Sequence, residues 1–158
     1  KLKWRSVLNI NVGINRKNIS DKHWVYFPEE KFAFYRVGFY SNFSKSLCPD
    51  GASSMYVEVS CLPDSRLPGK NQKVKKIVNE LKSAGILKIS DKIISECILD
   101  IPYGYVIYDK NREASLETIQ KYLRKNSILS IGRYGGWKYS TMEDSILEGR
   151  DVIKWLKK

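Results

Sequence analysis

Apolar and polar residues alternate along 4–14, where Val7, Asn9 and Asn11 oppose Leu8, Ile10 and Val12. Period two over that length predicts a long, half-buried strand. Two aromatic-rich runs follow, 23–27 and 32–40, joined through Pro28, Glu29, Glu30 and Lys31. A connection that short predicts a hairpin. Residues 41–53 read as a loop with Pro49 and Gly51, and 55–61 as a fourth strand carrying Glu58 among apolar neighbours. The two prolines of 62–69 make a connection. The period then lengthens: Val74, Ile77, Val78 and Leu81 share one face over 71–84, with lysines opposite and Gly85 as a stop. Segments 92–101 and 105–108 read as strands separated by Pro102 and Gly104. A short helix is expected over 116–125, with Ile119, Tyr122 and Leu123 inward.

The last quarter is the most organised. A short apolar strand, 128–131, runs into Gly132 and Arg133, then into a flexible glycine-rich arm with Gly135 and Gly136. Trp137, Lys138 and Tyr139 lead to a helix beginning at Thr141. Ser140 with Glu143, or Thr141 with Asp144, has capping-box spacing, the glutamate version being the stronger. Met142, Ile146, Gly149, Ile153 and Leu156 recur every three or four residues as an amphipathic stripe. A glycine there costs the helix roughly 1 kcal/mol against alanine, which implies a close backbone or a flat ligand. The amides of the first turn suit an anion or an electron-rich ring edge. Spacing alone is equally compatible with a strand-turn-helix that merely closes a domain.

Strands joined by short loops, with few helices between them, argue for an α+β architecture: a mixed, mainly antiparallel sheet with flanking helices. The ten glycines never supply G-x-G-x-x-G, so the Rossmann dinucleotide-binding unit is absent. A chain of 158 residues, 42% hydrophobic, suffices for a single domain over 1–158. Net charge is 28 minus 17, or +11, yet 20 of the basic residues are scattered lysines, a pattern of solubility more than of a binding stripe. No apolar run approaches the ~18 residues of a membrane span. Cys48, Cys61 and Cys97 are odd in number and widely spaced, which suggests reduced thiols in a cytoplasmic protein and no metal knuckle. His23 is the sole histidine, so a histidine-dependent triad or a multi-histidine zinc site is nearly excluded. The opening Lys-Leu-Lys, without methionine, leads us to expect a fragment of a longer protein.

Arg36 stands mid-strand in FYRV, where a charge needs an anion, a cavity or a partner such as Glu58. Tyr103 and Tyr105 flank a glycine in IPYGYVIYD. No acid-base pair stands out, so no catalytic residue is assigned.

The stretch GRYGGWKYSTMEDSI resembles the C-terminal signature of the FAD-dependent amine oxidase, protoporphyrinogen oxidase and UDP-galactopyranose mutase superfamily. In the mutases the pattern is Gly-Arg, an aromatic, a basic residue and a tyrosine, then Asp-Met-Asp opening a helix; here Thr141 replaces the aspartate. The segments 23–43 and 54–60 resemble the mutase strands that carry YTRI-like and REYS-like motifs, and IPYGYV resembles the PYYP segment. The resemblance implies FAD as cofactor, with Gly132, Arg133, Thr141 and Met142 at its edge and 131–157 as the flavin-facing part. It implies Arg36, Tyr105 and Tyr139 on the substrate side, Tyr103 being the rival of Tyr105. It further implies that most of the FAD site, and the uridine-binding helices of a mutase, lie in an N-terminal FAD-binding domain upstream. The expected function is the substrate-binding, flavin-capping part of an oxidoreductase or mutase-like enzyme acting on a small anionic or nucleotide-sugar substrate. The fragment alone would be inactive, because the cofactor supplies the electron chemistry. The competing class is a stand-alone basic nucleic-acid-binding or structural module. Against the first of these, the aromatics interleave with strand apolar residues instead of decorating a basic face.

Overall fold

The computed structural model describes residues 2–63 and 70–156. It is α+β, as expected. Five strands are β1 (Lys3–Ile14), β2 (Trp24–Tyr26), β3 (Arg36–Phe39), β4 (Ser53–Cys61) and β5 (Ile93–Ile107). Four helices are α1 (Lys70–Ser83), α2 (Arg112–Lys125), α3 (Gly132–Gly135) and α4 (Met142–Leu156). The sheet order is β2-β3-β4-β1-β5. β2 with β3, β3 with β4, and β1 with β4 are antiparallel. At the β1–β5 edge, Asn15 N donates to the Lys92 carbonyl and Ser6 Oγ to the Pro102 carbonyl, so those strands also run in opposite directions. The chain divides into two compact units, Ser6–Pro102 and a second made of Lys1–Arg5 with Tyr103–Lys158.

The larger unit owns the hydrophobic core. Leu8, Ile10, Val12 and Ile14 of β1 meet Met55 and Val57 of β4, Val37 and Phe39 of β3, and Val74, Ile77 and Leu81 of α1. Alternation sends the other residues of the same strands to the opposite, polar face, where Asn9 stands across from Glu58 and Glu58 across from Arg36. α1 ends as its glycine predicts: Gly85 has φ +74°, its amide reaches the Lys82 carbonyl, and Ile86 N reaches Leu81 O.

Several expectations change. The third strand is only Arg36–Phe39, because the chain curls before it to put Phe34 into the core beside Phe27 and Phe32. Ala33 N is satisfied there by Glu80 of α1 at 2.8 Å. Pro102 does not interrupt β5, since β5 is an edge strand and a missing amide costs an edge no ladder bond. The 128–131 strand is absent. Ser127 adopts φ +59° and the Ile128 amide closes α2 on the Leu123 carbonyl, so the segment is spent on a helix cap. Ile119 and Tyr122 of α2 are exposed rather than inward. Of the predicted connection 62–69, residues 64–69 lie outside the described residues, as does residue 157 of the last predicted segment.

The smaller unit, by contrast, buries little. Val106 is its one buried apolar side chain among the described residues. α2 and α4 bury none, and Ile146 of α4 is 71% exposed. Leu8→Ala should therefore cost about 2–5 kcal/mol in urea unfolding. Ile146→Ala should stay within roughly 0.5 kcal/mol of the parent.

Candidate functional site

Six of the seven residues singled out in the sequence lie in the smaller unit, and three of them meet. The Arg133 guanidinium lies 5.4 Å from the Tyr105 ring centre and 5.7 Å from that of Tyr139, and the two rings meet edge to face at 6.2 Å. A cation over aromatic faces is attracted by their negative quadrupoles. Arg133 Nη2 also donates to the Gly104 carbonyl at 3.2 Å. No carboxylate pairs with Arg133 among the described residues. The Tyr139 hydroxyl donates to the Val106 carbonyl at 2.8 Å, so its ring is what it offers to the cluster. Tyr103 packs on Trp4 instead, at 5.1 Å, which leaves Tyr105 as the tyrosine of this cluster.

The arm that presents Arg133 is held firmly, contrary to the flexible linker expected. Residues Gly132–Gly135 form a helical turn, α3. Gly132 has φ +79°, a left-handed conformation open to glycine. At Gly135 a Cβ would stand 2.8 Å from the Ser130 carbonyl carbon, so that glycine answers a close approach. Gln120 of α2 donates to the Gly135 carbonyl at 2.7 Å, and Arg112 Nε to the Trp137 carbonyl at 2.8 Å. Trp137 itself sits at φ +43°, an uncommon place for a bulky residue, held by that bond and by its indole N–H on the Lys3 carbonyl. From α4, Glu148 accepts the Gly132 amide at 2.6 Å and pairs with Lys138. Lys138, then the Gly132 amide, holds the Glu148 carboxyl below its usual range, and Glu148 raises Lys138 in return. Glu148, Gln120 and Arg112 were not singled out in the sequence. Each bonds to backbone distant from its own helix, and no spacing rule announces that.

α4 starts where expected, but with the other capping box. Thr141 Oγ1 accepts the Asp144 amide at 3.1 Å, and the Asp144 carboxylate accepts the Thr141 amide at 2.8 Å. The Thr141 amide, then the Thr141 hydroxyl, which also donates to that carboxylate at 2.9 Å, keep the Asp144 carboxyl below its usual range. The Met142 and Glu143 amides donate to no acceptor among the described residues. Met142 is 86% exposed. Gly149 departs from expectation: nothing lies within 4 Å of a Cβ built there, so no described backbone demands a glycine.

Arg36 belongs to the larger unit. Its Nη2 lies 2.7 Å from Glu58 Oε2, and Tyr35 donates to the same carboxylate at 2.5 Å. The cross-strand register makes this pair, the structural alternative anticipated for Arg36. No group of three or more histidine, cysteine, aspartate or glutamate side chains among the described residues could hold a metal ion. No described helix is long and apolar enough to cross a membrane.

No family model matches the chain. Among solved structures it is similar to reduced UDP-galactopyranose mutase, at 28% identity and TM-score 0.79, over 88% of this chain and 30% of that one. It is also similar, in fold alone, to a candidate protoporphyrinogen oxidase from Exiguobacterium sp. 255-15, at 9% identity and TM-score 0.61, over 79% of this chain and 28% of that one. The chain thus spans under a third of the length of the structures it matches. The resemblance drawn from the Gly-Arg motif holds: the fold is that of the FAD-dependent amine oxidase, protoporphyrinogen oxidase and UDP-galactopyranose mutase superfamily.

Two outcomes follow from the way the arm is held. Gly132→Ala should cost about 1–2 kcal/mol from left-handed strain, whereas Gly149→Ala should raise stability by up to about 1 kcal/mol. Thermal melts of the two variants compare them directly. Because the folded-state pKa of Glu148 is depressed, its contribution is complete above the ordinary glutamate value and is lost as pH falls through the lower folded value. Glu148→Gln should remove that acid-side dependence, read by following tryptophan fluorescence of the arm between neutral and acid pH.

Proposed function

We propose that this chain is the substrate-binding and flavin-capping part of an FAD-dependent enzyme, either an oxidoreductase of the amine oxidase and protoporphyrinogen oxidase kind or a UDP-galactopyranose mutase-like enzyme. One observation carries the reading: Arg133, with no carboxylate partner among the described residues, is held over Tyr105 and Tyr139. Building a fixed cation without a counter-charge is worthwhile where an anionic or electron-rich group arrives to meet it.

The donor set fits one edge of a flavin. Arg133 and the Met142 and Glu143 amides are donors suited to the oxygens of a ring edge, and a helix N-terminus favours negative charge there. It does not fit the pyrophosphate, for which the chain has no glycine-rich loop. In this reading Gly132, Arg133, Thr141 and Met142 hold the ring edge, and an FAD-binding domain of the same protein supplies the rest. Bound FAD contributes the electron chemistry. The chain's own residues orient and screen: Tyr105 and Tyr139 present ring faces, and Arg133 holds an anionic group of the substrate, such as that of a nucleotide sugar. The family resemblance assigns Arg36 to the substrate side as well, with its charge already met by Glu58. The exposed apolar residues of α4 are accounted for if the FAD-binding domain covers them.

The 158-residue chain alone should purify colourless; stoichiometric flavin in it would overturn this division of the site. In the full-length protein, Arg133→Ala should lower kcat/KM about 10–100-fold, the worth of one charge-assisted contact, with Arg133→Lys intermediate. If instead both variants lose stability at unchanged kinetics, Arg133 is a structural residue and the reading fails.

A further inference from the structure

Arg133 keeps an unbalanced charge although a carboxylate stands beside its own backbone. Glu148 Oε2 accepts the amide of Gly132, the residue before Arg133, at 2.6 Å, and Glu148 Oε1 pairs with Lys138. Lys138 is tied to Arg133 through the main chain as well, since its amide donates to the Arg133 carbonyl at 3.0 Å. Two cations and one anion thus share a short stretch of backbone, and one positive charge is left over. The nearby Asp144 carboxylate is engaged by the amide and hydroxyl of Thr141.

The path of the lysine is built into the arm. A Cβ on Gly136 would stand 3.2 Å from Lys138 Cε and 3.3 Å from Lys138 Cδ, so the stem of Lys138 lies back across that glycine. Its side chain is 39% exposed, against 60% to 71% for the lysines of the other described ion pairs. A surface lysine ordinarily keeps its ammonium in water, and this one is folded onto Glu148. The reason lies in what Glu148 does. A carboxylate is a strong acceptor for a backbone amide, and fixing the Gly132 amide fixes where Arg133 starts. Left alone, the same carboxylate would oppose any anion arriving at Arg133.

We propose that Glu148 and Lys138 are positioning residues for an anion site at Arg133: Glu148 aims the guanidinium by holding the Gly132 amide, and Lys138 cancels the charge of that carboxylate. Arg133 then keeps its pull on an anionic group while its backbone is held by an anion. The proposal rests on the reading of Arg133 as the residue that meets such a group.

The test is an NMR titration of the ¹⁵N-labelled 158-residue chain with inorganic pyrophosphate, read on the Arg133 Nε signal. Lys138→Met should weaken binding about three- to fivefold, the worth of one exposed charge. Glu148→Gln still accepts the Gly132 amide and should bind tighter by a similar factor. The double variant, Lys138→Met with Glu148→Gln, should return to the parent's affinity, which the loss of a merely structural pair would not do. Glu148→Ala has the charge of Glu148→Gln without the amide contact, so it should bind about threefold more weakly than Glu148→Gln or worse. The proposal is overturned if Lys138→Met binds within about twofold of the parent, if the double variant binds no better than Lys138→Met, or if Glu148→Ala matches Glu148→Gln. Should Glu148→Ala unfold the smaller unit, seen in the dispersion of its amide signals, the first two comparisons decide. Arg133→Ala separates the two levels. If it binds pyrophosphate like the parent, the Arg133 reading fails and the pair has no anion site to serve. If it loses binding while the Lys138 and Glu148 variants all match the parent, the positioning role alone fails.

Discussion

The smaller unit depends on a carboxylate that is not itself a candidate for chemistry. Glu148 joins the Gly132 amide to the Lys138 ammonium, so α4 grips both ends of the arm that carries Arg133. In a unit where Val106 is the one described apolar side chain buried, packing cannot fix that arm. Directional polar bonds do so instead. Gln120 and Arg112 hold its carbonyls, Tyr134 holds the Tyr103 carbonyl at 2.7 Å, and Arg133 itself reaches Gly104. Charge-assisted bonds are the strong members of such a set. Each also fixes direction, which a hydrophobic contact does not, and a guanidinium that must face two rings requires direction.

The larger unit solves the opposite problem. Its aliphatic face is sealed by α1, so stability there comes from burial. That frees the other face to carry polar groups that would weaken an ordinary core. Glu58 holds Arg36 and Tyr35 there, while Asn9 Oδ1 and Ser54 Oγ are buried without a hydrogen-bond partner among the described residues. The polar face is therefore a mosaic of finished and unfinished pairs. An unfinished one can persist because the aliphatic face carries the fold.

The period of the sequence revealed the elements whose burial is one-sided. α1, with its apolar face and Gly85 stop, and β1, with its alternation, were legible because a single neighbour shapes each pattern. Errors fell where the backbone itself decides. Pro102 looks like a break, and only the edge position of β5 makes it harmless. Ile128 looks like a strand residue, and only the left-handed Ser127 turns it into a helix cap. At α4 the Thr141–Asp144 box displaced the stronger-looking Ser140–Glu143, a choice set by where the arm ends. The Arg133, Tyr105 and Tyr139 cluster was legible through motif resemblance and not through spacing. Glu148 was hidden, since a glutamate on a helix is ordinary until its partner is known.

The two arginines singled out in the sequence show how local context divides one residue type into two roles. Arg36 lies opposite Glu58 in the register of adjacent strands, so the sheet itself supplies its counter-charge. A compensated guanidinium presents little net field to a ligand, and breaking the pair to capture an anion would leave a buried carboxylate alone. Arg133 has aromatic faces and a carbonyl where Arg36 has a carboxylate. Those neighbours orient a cation without neutralising it. The partners that the backbone places beside each guanidinium, and not the residue type, thus decide which of the two keeps an unbalanced charge.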